Sequence, residues 1–72
     1  MKIKINIGLR IKVLREIKNM SQKDLAYTAD LDRSYIASVE SGNRNISIVN
    51  IEKIATALGV SLCEFFSDKL FD

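Results

Sequence analysis

One short polar segment of this chain carries side chains well suited to recognising a ligand. Arg33, Ser34 and Tyr35 are consecutive. An arginine can give two parallel hydrogen bonds to O6 and N7 of guanine, and serine and tyrosine hydroxyls can bond bases or phosphates. These residue types indicate recognition by hydrogen bonding, and Arg33 is the strongest candidate.

The residue types needed for catalysis or metal binding are scarce. The sequence has no histidine to act as a general base, and its single cysteine, Cys63, cannot make a zinc site or a disulfide. We therefore expect a protein that is not an enzyme and that holds no metal and no cofactor, with Cys63 as a small, partly buried residue. The acids interpreted as helix caps or surface groups are Asp24, Asp30, Asp32 and Asp68.

The chain is long enough for one small domain, residues 1–72, whose monomer should be only marginally stable. The amino-terminal stretch MKIKINIGLRIKVL mixes lysines into its apolar residues and lacks a cleavage site, so it does not fit a signal peptide. No apolar run approaches the roughly 20 residues of a membrane helix. We expect a cytoplasmic protein without a membrane partner.

Charge is distributed unevenly along the chain, although the net charge is only +2. Residues 1–19 hold six basic residues against the single acid Glu16, whereas residues 46–72 hold two lysines against four acids. The basic end could face phosphate while the acidic end faces away. The alternative is an ordinary solvated helix rich in lysine.

The periodicity of apolar residues predicts an all-α protein of five helices. Ile7, Ile11, Leu14 and Ile17 recur at the spacing of one helix face, and the sequence contains no proline. The later helices have core sides of the same kind, and Ile48 opens the core side of the fourth. The predicted helices cover approximately residues 7–19, 21–29, 32–41, 47–58 and 61–70.

Capping residues mark the ends of these helices. Ser21 with Asp24, and Ser61 with Glu64, fit capping boxes, in which the serine and the acid each bond the other's backbone N–H. Glycine ends a helix well because it accepts the left-handed conformation without steric cost. The predicted N-caps are Ser21, Asp32, Ser47 and Ser61, and the predicted glycine stops are Gly42 and Gly59.

Residues 21–42, SQKDLAYTADLDRSYIASVESG, predict two short capped helices joined by a tight turn at residues 30 and 31. This is the sequence form of a helix-turn-helix, whose second helix lies in the DNA major groove with its first residues at the base edges. Arg33 is therefore the first candidate for base contact. The alternative is an exposed arginine that contacts phosphate or only solvent.

The residues after Arg33 leave more alternatives open. We assign Ser34 to base contact, although it could bond a phosphate or serve as a second capping hydroxyl. Tyr35 is also assigned to base contact; it could equally touch the sugar-phosphate backbone or pack against its own helix pair. Ser38 lies one turn beyond Ser34 on the same side and is a candidate for contact with the DNA backbone.

In its longer motifs the chain resembles the Xre-type, or lambda-repressor-like, helix-turn-helix domains over roughly residues 7–66. The shared motifs are SQKDLA in the second helix, YIASVESG in the third and the closing IEKIATALGVSLCEFF. The L-D-R-S-Y-I turn and the N-R-N-I-S loop are most similar to those of the controller proteins of restriction–modification systems. The resemblance implies a compact five-helix DNA-binding domain.

This resemblance assigns roles to polar residues outside the third helix. Gln22 would bond a phosphate and brace the recognition helix. Arg44 would contact DNA, with a base as the assigned partner and a phosphate as the alternative. The composition of its loop alone would indicate an ordinary turn. Asn43 and Asn45 would lie beside the DNA backbone of the same half-site.

The resemblance also implies a partly buried salt bridge between Arg15 and Glu40. Removing one partner would strand a charge and cost ~3–5 kcal/mol if the burial is deep. Loss of Glu40 should then damage the fold more than the DNA contact, so the pair is interpreted as structural.

One domain of this kind reads few bases, so specific binding favours a dimer on two half-sites about 10 base pairs apart or a multiple of that. The exposed side of the fourth and fifth helices is the best candidate for the dimer interface, with Val49, Leu62 and Phe66 as its apolar residues. Phe65 is also apolar, and the core is the better interpretation for it. The expected partners are a second copy of the chain and double-stranded DNA with a palindromic operator.

The resemblance implies a transcriptional regulator that binds as a homodimer upstream of its own gene and controls restriction–modification genes. Activation would need a surface that touches RNA polymerase; Lys23 and Asp24 lie where some relatives have two acids, so this contact is left open. The alternatives are a phage or plasmid repressor and an antitoxin-like partner protein. An antitoxin usually carries an additional toxin-binding tail, which we do not expect here because the sequence ends at Asp72.

Overall fold

The computed structural model describes residues 2–72, which form helices and no strands. This confirms the predicted all-α class with five α-helices, although two sets of helix bounds differ from the prediction. No helix in the described range is both long and apolar enough to cross a membrane. The elements are α1 (Lys2–Ile17), α2 (Gln22–Ala29), α3 (Arg33–Glu40), α4 (Ile48–Ala57), α5 (Leu62–Phe66) and a 3-10 helix (Lys69–Phe71).

Serine caps begin three of the helices as the sequence predicts. Ser21 and Ser61 each accept a bond from the backbone three residues on, and the acid there accepts one from the serine's backbone N–H. Ser47 caps α4 through the N–H of Asn50. The prediction for Asp32 is wrong in part, because its side chain makes no capping hydrogen bond and only its extended backbone begins α3.

Helices α1 to α4 end in the same way, at a residue with positive φ. Gly42 and Gly59 have φ values of 80° and 75°, as their prediction as stops requires. Asn19 and Asp30 serve the same purpose at 56° and 57°, since short polar side chains tolerate this region. In each case the next residue donates its N–H to a carbonyl five positions back, at 2.9–3.1 Å.

Helix α1 begins at Lys2 instead of near residue 7. Nothing in residues 2–6 breaks a helix, and the Asn6 side chain anchors this extra turn by donating to the Leu70 carbonyl at 2.8 Å. Ile17, predicted to face the core, is 65% exposed. At 3.6 residues per turn it lies about 120° around the helix from the buried Ile11, which turns it towards solvent.

The last predicted helix, residues 61–70, is broken in the structure after Phe66. Arg10 makes this possible, because its guanidinium donates to the carbonyls of Glu64 and Phe65 at 2.8 and 2.7 Å at the end of α5. Asp68 then starts the 3-10 helix by accepting the N–H of Leu70 at 3.0 Å. The chain therefore changes direction here and brings Phe71 back against the core.

The core lies where α1 to α5 converge. Phe65 belongs to it, as expected, but Ile48 does not: it is 82% exposed, because it is the first residue of α4 and precedes the buried turns. Cys63, expected to be partly buried, is exposed on α5. The buried apolar residues are Ile7, Ile11, Leu14, Leu25, Ala26, Ala29, Ile36, Val39, Ile54, Ala55, Leu58 and Phe65.

Gly8 allows α1 to cross the end of α3 at very short range. A Cβ atom placed on Gly8 would come within 2.4 Å of the Val39 carbonyl oxygen and 2.7 Å of the Glu40 carbonyl oxygen. Both obstacles are backbone atoms of α3, which cannot rotate aside. Only glycine fits this position while α1 and α3 keep their present distance.

We predict that Gly8→Ala destabilises the protein by about 1–3 kcal/mol, because the added methyl group forces α1 away from α3. Guanidinium denaturation followed by circular dichroism measures this. In an uncrowded helix the same change would stabilise by roughly 0.5–1 kcal/mol, so the sign of the effect is diagnostic. Gly59→Ala is the matched control: it adds backbone strain, but the nearest atom to its Cβ is the Lys18 Nζ at 3.8 Å. A Gly8→Ala protein as stable as the wild type would contradict the close crossing.

We also predict that the two capping boxes contribute to acid sensitivity. Hydrogen bonds from Ser61 lower the pKa of Glu64 from its ordinary 4.5, and those from Ser21 lower the pKa of Asp24 from 3.8. A lowered folded-state pKa means that the stabilisation is full above the ordinary value and is lost as pH falls through the folded value. The Tm advantage of the wild type over Glu64→Gln should therefore shrink as pH falls below 4.5.

Thermal melts over a pH series test this prediction, and Asp24→Asn is the internal comparison. Its Tm difference from the wild type should shrink at lower pH than that of Glu64→Gln, because the ordinary pKa of an aspartate is lower. Differences that stay constant into the acid range would show that these carboxylates do not cap their helices in solution.

Candidate nucleic-acid interface

The exposed side of α3 is polar. Arg33 and Ser34 are exposed at its first turn, and Ser38 is half-buried one turn further along the same side. The opposite side holds the buried Ile36 and Val39, which fix the helix against the core. Small side chains along the outer side allow another molecule to approach the helix closely, while the first turn offers an unobstructed guanidinium.

Tyr35 and Arg44, predicted separately, are in contact in the structure. The guanidinium carbon of Arg44 lies 4.6 Å from the centre of the Tyr35 ring, a cation–π distance. The Tyr35 hydroxyl accepts a hydrogen bond from Asn50 Nδ2 at 2.9 Å. The half-buried ring also packs against the edge of the core, so Tyr35 has contacts within its own domain.

The loop between α3 and α4 presents a run of polar residues beside α3. Asn43, Arg44 and Asn45 are all exposed there. The loop is fixed at one end by Gly42 in its left-handed conformation and at the other by the Ser47 cap of α4. These three side chains therefore extend from a short segment anchored at both ends.

Arg15 and Glu40 form a two-pronged ion pair between α1 and α3. Arg15 Nε donates to Glu40 Oε2 at 2.7 Å, and Arg15 Nη2 donates to Glu40 Oε1 at 3.1 Å. Their side chains are only 12% and 5% exposed. The hydrogen bonds with Glu40 raise the pKa of Arg15, which keeps the guanidinium charged.

Gln22 completes this network from α2. Its Nε2 donates to Glu40 Oε1 at 3.1 Å, and Arg15 Nη1 donates to the carbonyl of Met20, just before α2, at 2.8 Å. Glu40 thus joins α3 to both α1 and α2. Gln22 was predicted as a phosphate ligand that braces the recognition helix; in the free protein its amide is bonded to the last residue of that helix.

Three residues of this surface, Lys12, Ala37 and Asn50, are not among the predicted site residues. Lys12 lines the same cleft as Gln22, where it adds a positive charge, and Ala37 lies on the wall formed by α3. The only indication in the sequence that Lys12 belongs to this surface is the excess of basic residues in residues 1–19. Asn50 had no local sign, because its partner Tyr35 is 15 residues away.

The basic amino-terminal segment is less available than its composition suggests. Arg15 is paired with Glu40, and Arg10 is paired with Asp68 at 3.2 Å besides its bonds to α5. Both guanidiniums are therefore ion-paired within the domain. The remaining charge of this segment comes from lysines, and Lys12 is the one that lies in the cleft between α1, α2 and α3.

The residues predicted for the dimer interface are apolar and at least one-third exposed. Val49, at the start of α4, is 62% exposed, and Leu62 and Phe66 on α5 are 39% and 37% exposed. Phe66 is partly engaged within the domain, with its ring centre 5.0 Å from that of Phe65 and 4.9 Å from that of Phe71. Phe66 therefore packs against two rings of its own domain while it stays 37% exposed.

The side chains of this surface are suited to hydrogen bonding, and most of its strong groups are donors. Arginine, lysine and side-chain amides supply N–H donors. Within residues 2–72 no group of three or more His, Cys, Asp or Glu side chains is placed to hold a metal ion. On α2, Lys23 is exposed, whereas the Asp24 carboxylate is occupied by its cap.

Known proteins are similar in sequence to most of this chain. The helix-turn-helix family matches residues 11–65. The control protein C.MunI of Mycoplasma sp. is 51% identical over 67 residues, which are 92% of this chain and 90% of that protein.

Two solved structures are similar in fold. The restriction-modification controller protein C.AhdI of Aeromonas hydrophila superposes with a TM-score of 0.88 at 45% identity, covering 92% of this chain and all of the other. The controller protein C.Esp1396I, crystallised as a tetramer in complex with its natural 35 base-pair operator, gives a TM-score of 0.84 at 41% identity, covering 88% and 83% of the two chains. The chain therefore belongs to the helix-turn-helix family and, within it, to the controller proteins of restriction–modification systems.

Proposed function

We propose that this protein is a sequence-specific transcriptional regulator that binds, as a homodimer, an operator upstream of its own gene and so sets the expression of restriction–modification genes. The observation that carries the proposal is the first turn of α3, where Arg33 and Ser34 are both exposed. The 51% identity to a control protein supports the regulatory role.

Base reading is assigned to the start of α3 and to the loop that follows it. Arg33 has the fork of donors that matches O6 and N7 of guanine in the major groove. Ser34 and Tyr35 extend the reading surface along the helix, and Arg44 reaches from the loop. Because arginines only donate, acceptor-rich base edges are the natural partners of this surface.

Contacts with the DNA backbone are assigned to both flanks of α3. On one flank lie Gln22 and Lys12, close to the amino-terminal end of α2, where free N–H groups favour phosphate. On the other flank lie Asn43 and Asn45, with Ser38 on α3 itself. Backbone contacts on both sides would fix the angle at which α3 enters the groove.

The dimer interface is assigned to Val49, Leu62 and Phe66. A dimer places two recognition helices on half-sites about one helical turn apart, and it hides apolar area that a small domain otherwise leaves in water. Two dimers on tandem sites would correspond to the tetramer on an operator known for C.Esp1396I. For activation, the exposed side of α2 with Lys23 is the surface left for RNA polymerase.

We predict that Arg33→Ala costs about 1–3 kcal/mol of binding to the specific site while the Tm is unchanged, because the side chain is exposed and is assigned to base reading. Fluorescence anisotropy with a duplex from upstream of the gene, against a scrambled duplex of equal length, measures the loss. The wild type should discriminate between the two duplexes, and its affinity should fall steeply with salt.

Arg33→Lys is the matched control, since it keeps the charge and loses the planar fork. Arg33→Lys should lose nearly as much discrimination between the two duplexes as Arg33→Ala does. Its affinity should depend on salt in the same way as that of the wild type. Full discrimination by Arg33→Lys would mean that position 33 contacts phosphate. If the wild type bound both duplexes equally well, the proposed operator would be contradicted.

We predict that Val49→Asp raises the dimer dissociation constant at least about tenfold, because it buries an unpaired charge in the interface. Folding should survive, since the second residue of a helix favours an acid. Sedimentation equilibrium without DNA measures the effect. Val13→Asp is the matched control, because Val13 is an exposed valine on α1, outside the proposed interface. Equal dissociation constants for the two variants would place the interface elsewhere.

A further inference from the structure

A chain of three side chains joins the start of α4 to the proposed reading surface. Asn50 Nδ2 donates to the Tyr35 hydroxyl at 2.9 Å, and Arg44 stacks over the Tyr35 ring at 4.6 Å. Asn50 is itself fixed, because its backbone N–H donates to the Ser47 Oγ that caps α4 at 3.1 Å. Tyr35 thus has one partner on its ring face and another at its hydroxyl.

The direction of the Asn50–Tyr35 hydrogen bond decides what the hydroxyl offers to a ligand. A tyrosine hydroxyl has one proton to donate and lone pairs that accept, whereas the NH2 group of asparagine only donates. Asn50 therefore occupies a lone pair and leaves the proton. In the hydrogen bonds within residues 2–72 the Tyr35 hydroxyl acts as an acceptor only. Its proton is available to an acceptor on another molecule.

We propose that Asn50 is a positioning residue for DNA recognition: it fixes the Tyr35 hydroxyl as a donor towards the DNA. The inference rests on the proposed function, in which α3 and its following loop read the operator. The partner of the hydroxyl is an oxygen or nitrogen acceptor on a base edge of the DNA. Asn50 acts through Tyr35 and needs no DNA contact of its own.

Other contacts already stabilise the two residues that the Asn50–Tyr35 hydrogen bond joins. The start of α4 is capped by Ser47 through the backbone of Asn50, and this cap does not involve the Asn50 side chain. The Tyr35 ring is held by its packing against the core edge. The hydrogen bond from Asn50 therefore orients the Tyr35 hydroxyl, on a ring whose position is already fixed.

A double-mutant cycle of Asn50→Ala and Tyr35→Phe tests the proposal. Tyr35→Phe keeps the ring under Arg44 and removes the hydroxyl, so it isolates the group through which Asn50 acts. Dissociation constants are measured at one salt concentration for the duplex from upstream of the gene and for a scrambled duplex. The Tm of each variant reports any effect on the fold.

We expect Asn50→Ala to weaken binding to the specific duplex by about three- to tenfold, with scrambled-duplex affinity kept. In the Tyr35→Phe background the same change should alter specific binding by less than about twofold, because the acceptor of its bond is already gone. Specific binding unaffected by Asn50→Ala would overturn the inference. An equal loss in both backgrounds would also overturn it, since Asn50 would then act on the DNA or the fold directly.

Asn50→Asp tests the direction of the bond. A carboxylate accepts and does not donate, so the hydroxyl would turn its proton to position 50 and no longer offer it to DNA. The loss of specific affinity should therefore be larger with the hydroxyl present than in the Tyr35→Phe background, which measures the effect of the added charge alone. Equal losses would contradict a directed hydroxyl.

The wild-type baseline separates this inference from the proposed function. If the wild type binds both duplexes equally, the proposed operator and the positioning role are both overturned. If the wild type discriminates and Asn50→Ala discriminates equally well, only the positioning role is overturned.

Discussion

The carboxylate of Glu40 is the group on which the geometry of this domain depends. It is almost completely removed from water at the end of α3, where an uncompensated charge would be costly. Arg15 supplies two donors and Gln22 a third, so three helices must keep their relative positions for the charge to stay satisfied. Gly8 lets α1 approach closely enough for this. A hydrophobic contact tolerates sliding, whereas a two-pronged ion pair does not. The angle of α3 against α1 and α2 is therefore set by hydrogen-bond geometry as well as by packing.

This anchoring leaves the outer side of α3 without a structural task. The core is held by the opposite side, through Ile36 and Val39, and the end of the helix by Glu40. The identities of Arg33 and Ser34 can therefore be set by recognition, with little effect on the stability of the fold. Tyr35 is different, because its ring and hydroxyl both have partners within the domain. The proposed reading surface thus combines an unconstrained first turn with a second group held in a defined orientation.

The sequence predicted those features whose causes lie within a few residues. Both capping boxes are complete within four positions, and the serine caps and glycine stops are local as well. The broken end of α5 could not be predicted in this way, because it depends on Arg10, more than fifty residues away in sequence. Gly8 carries no local sign of its close contact with α3. For the candidate site, the residues of α3 followed from their place in the motif, and the Arg15–Glu40 pair came from resemblance. The Asn50–Tyr35 contact required the structure.

The start of α4 connects two assignments that the sequence treated as separate. Val49, assigned to the dimer interface, and Asn50, assigned to the positioning of Tyr35, are adjacent in the first turn of the same helix. A dimer formed through Val49 fixes this turn against a second copy of the chain. Because Asn50 shares its backbone with that turn, the position of the Tyr35 hydroxyl is then fixed relative to the two-fold axis as well. Half-site spacing and base recognition would depend on one short segment, so a change that loosens the dimer should also reduce discrimination between bases.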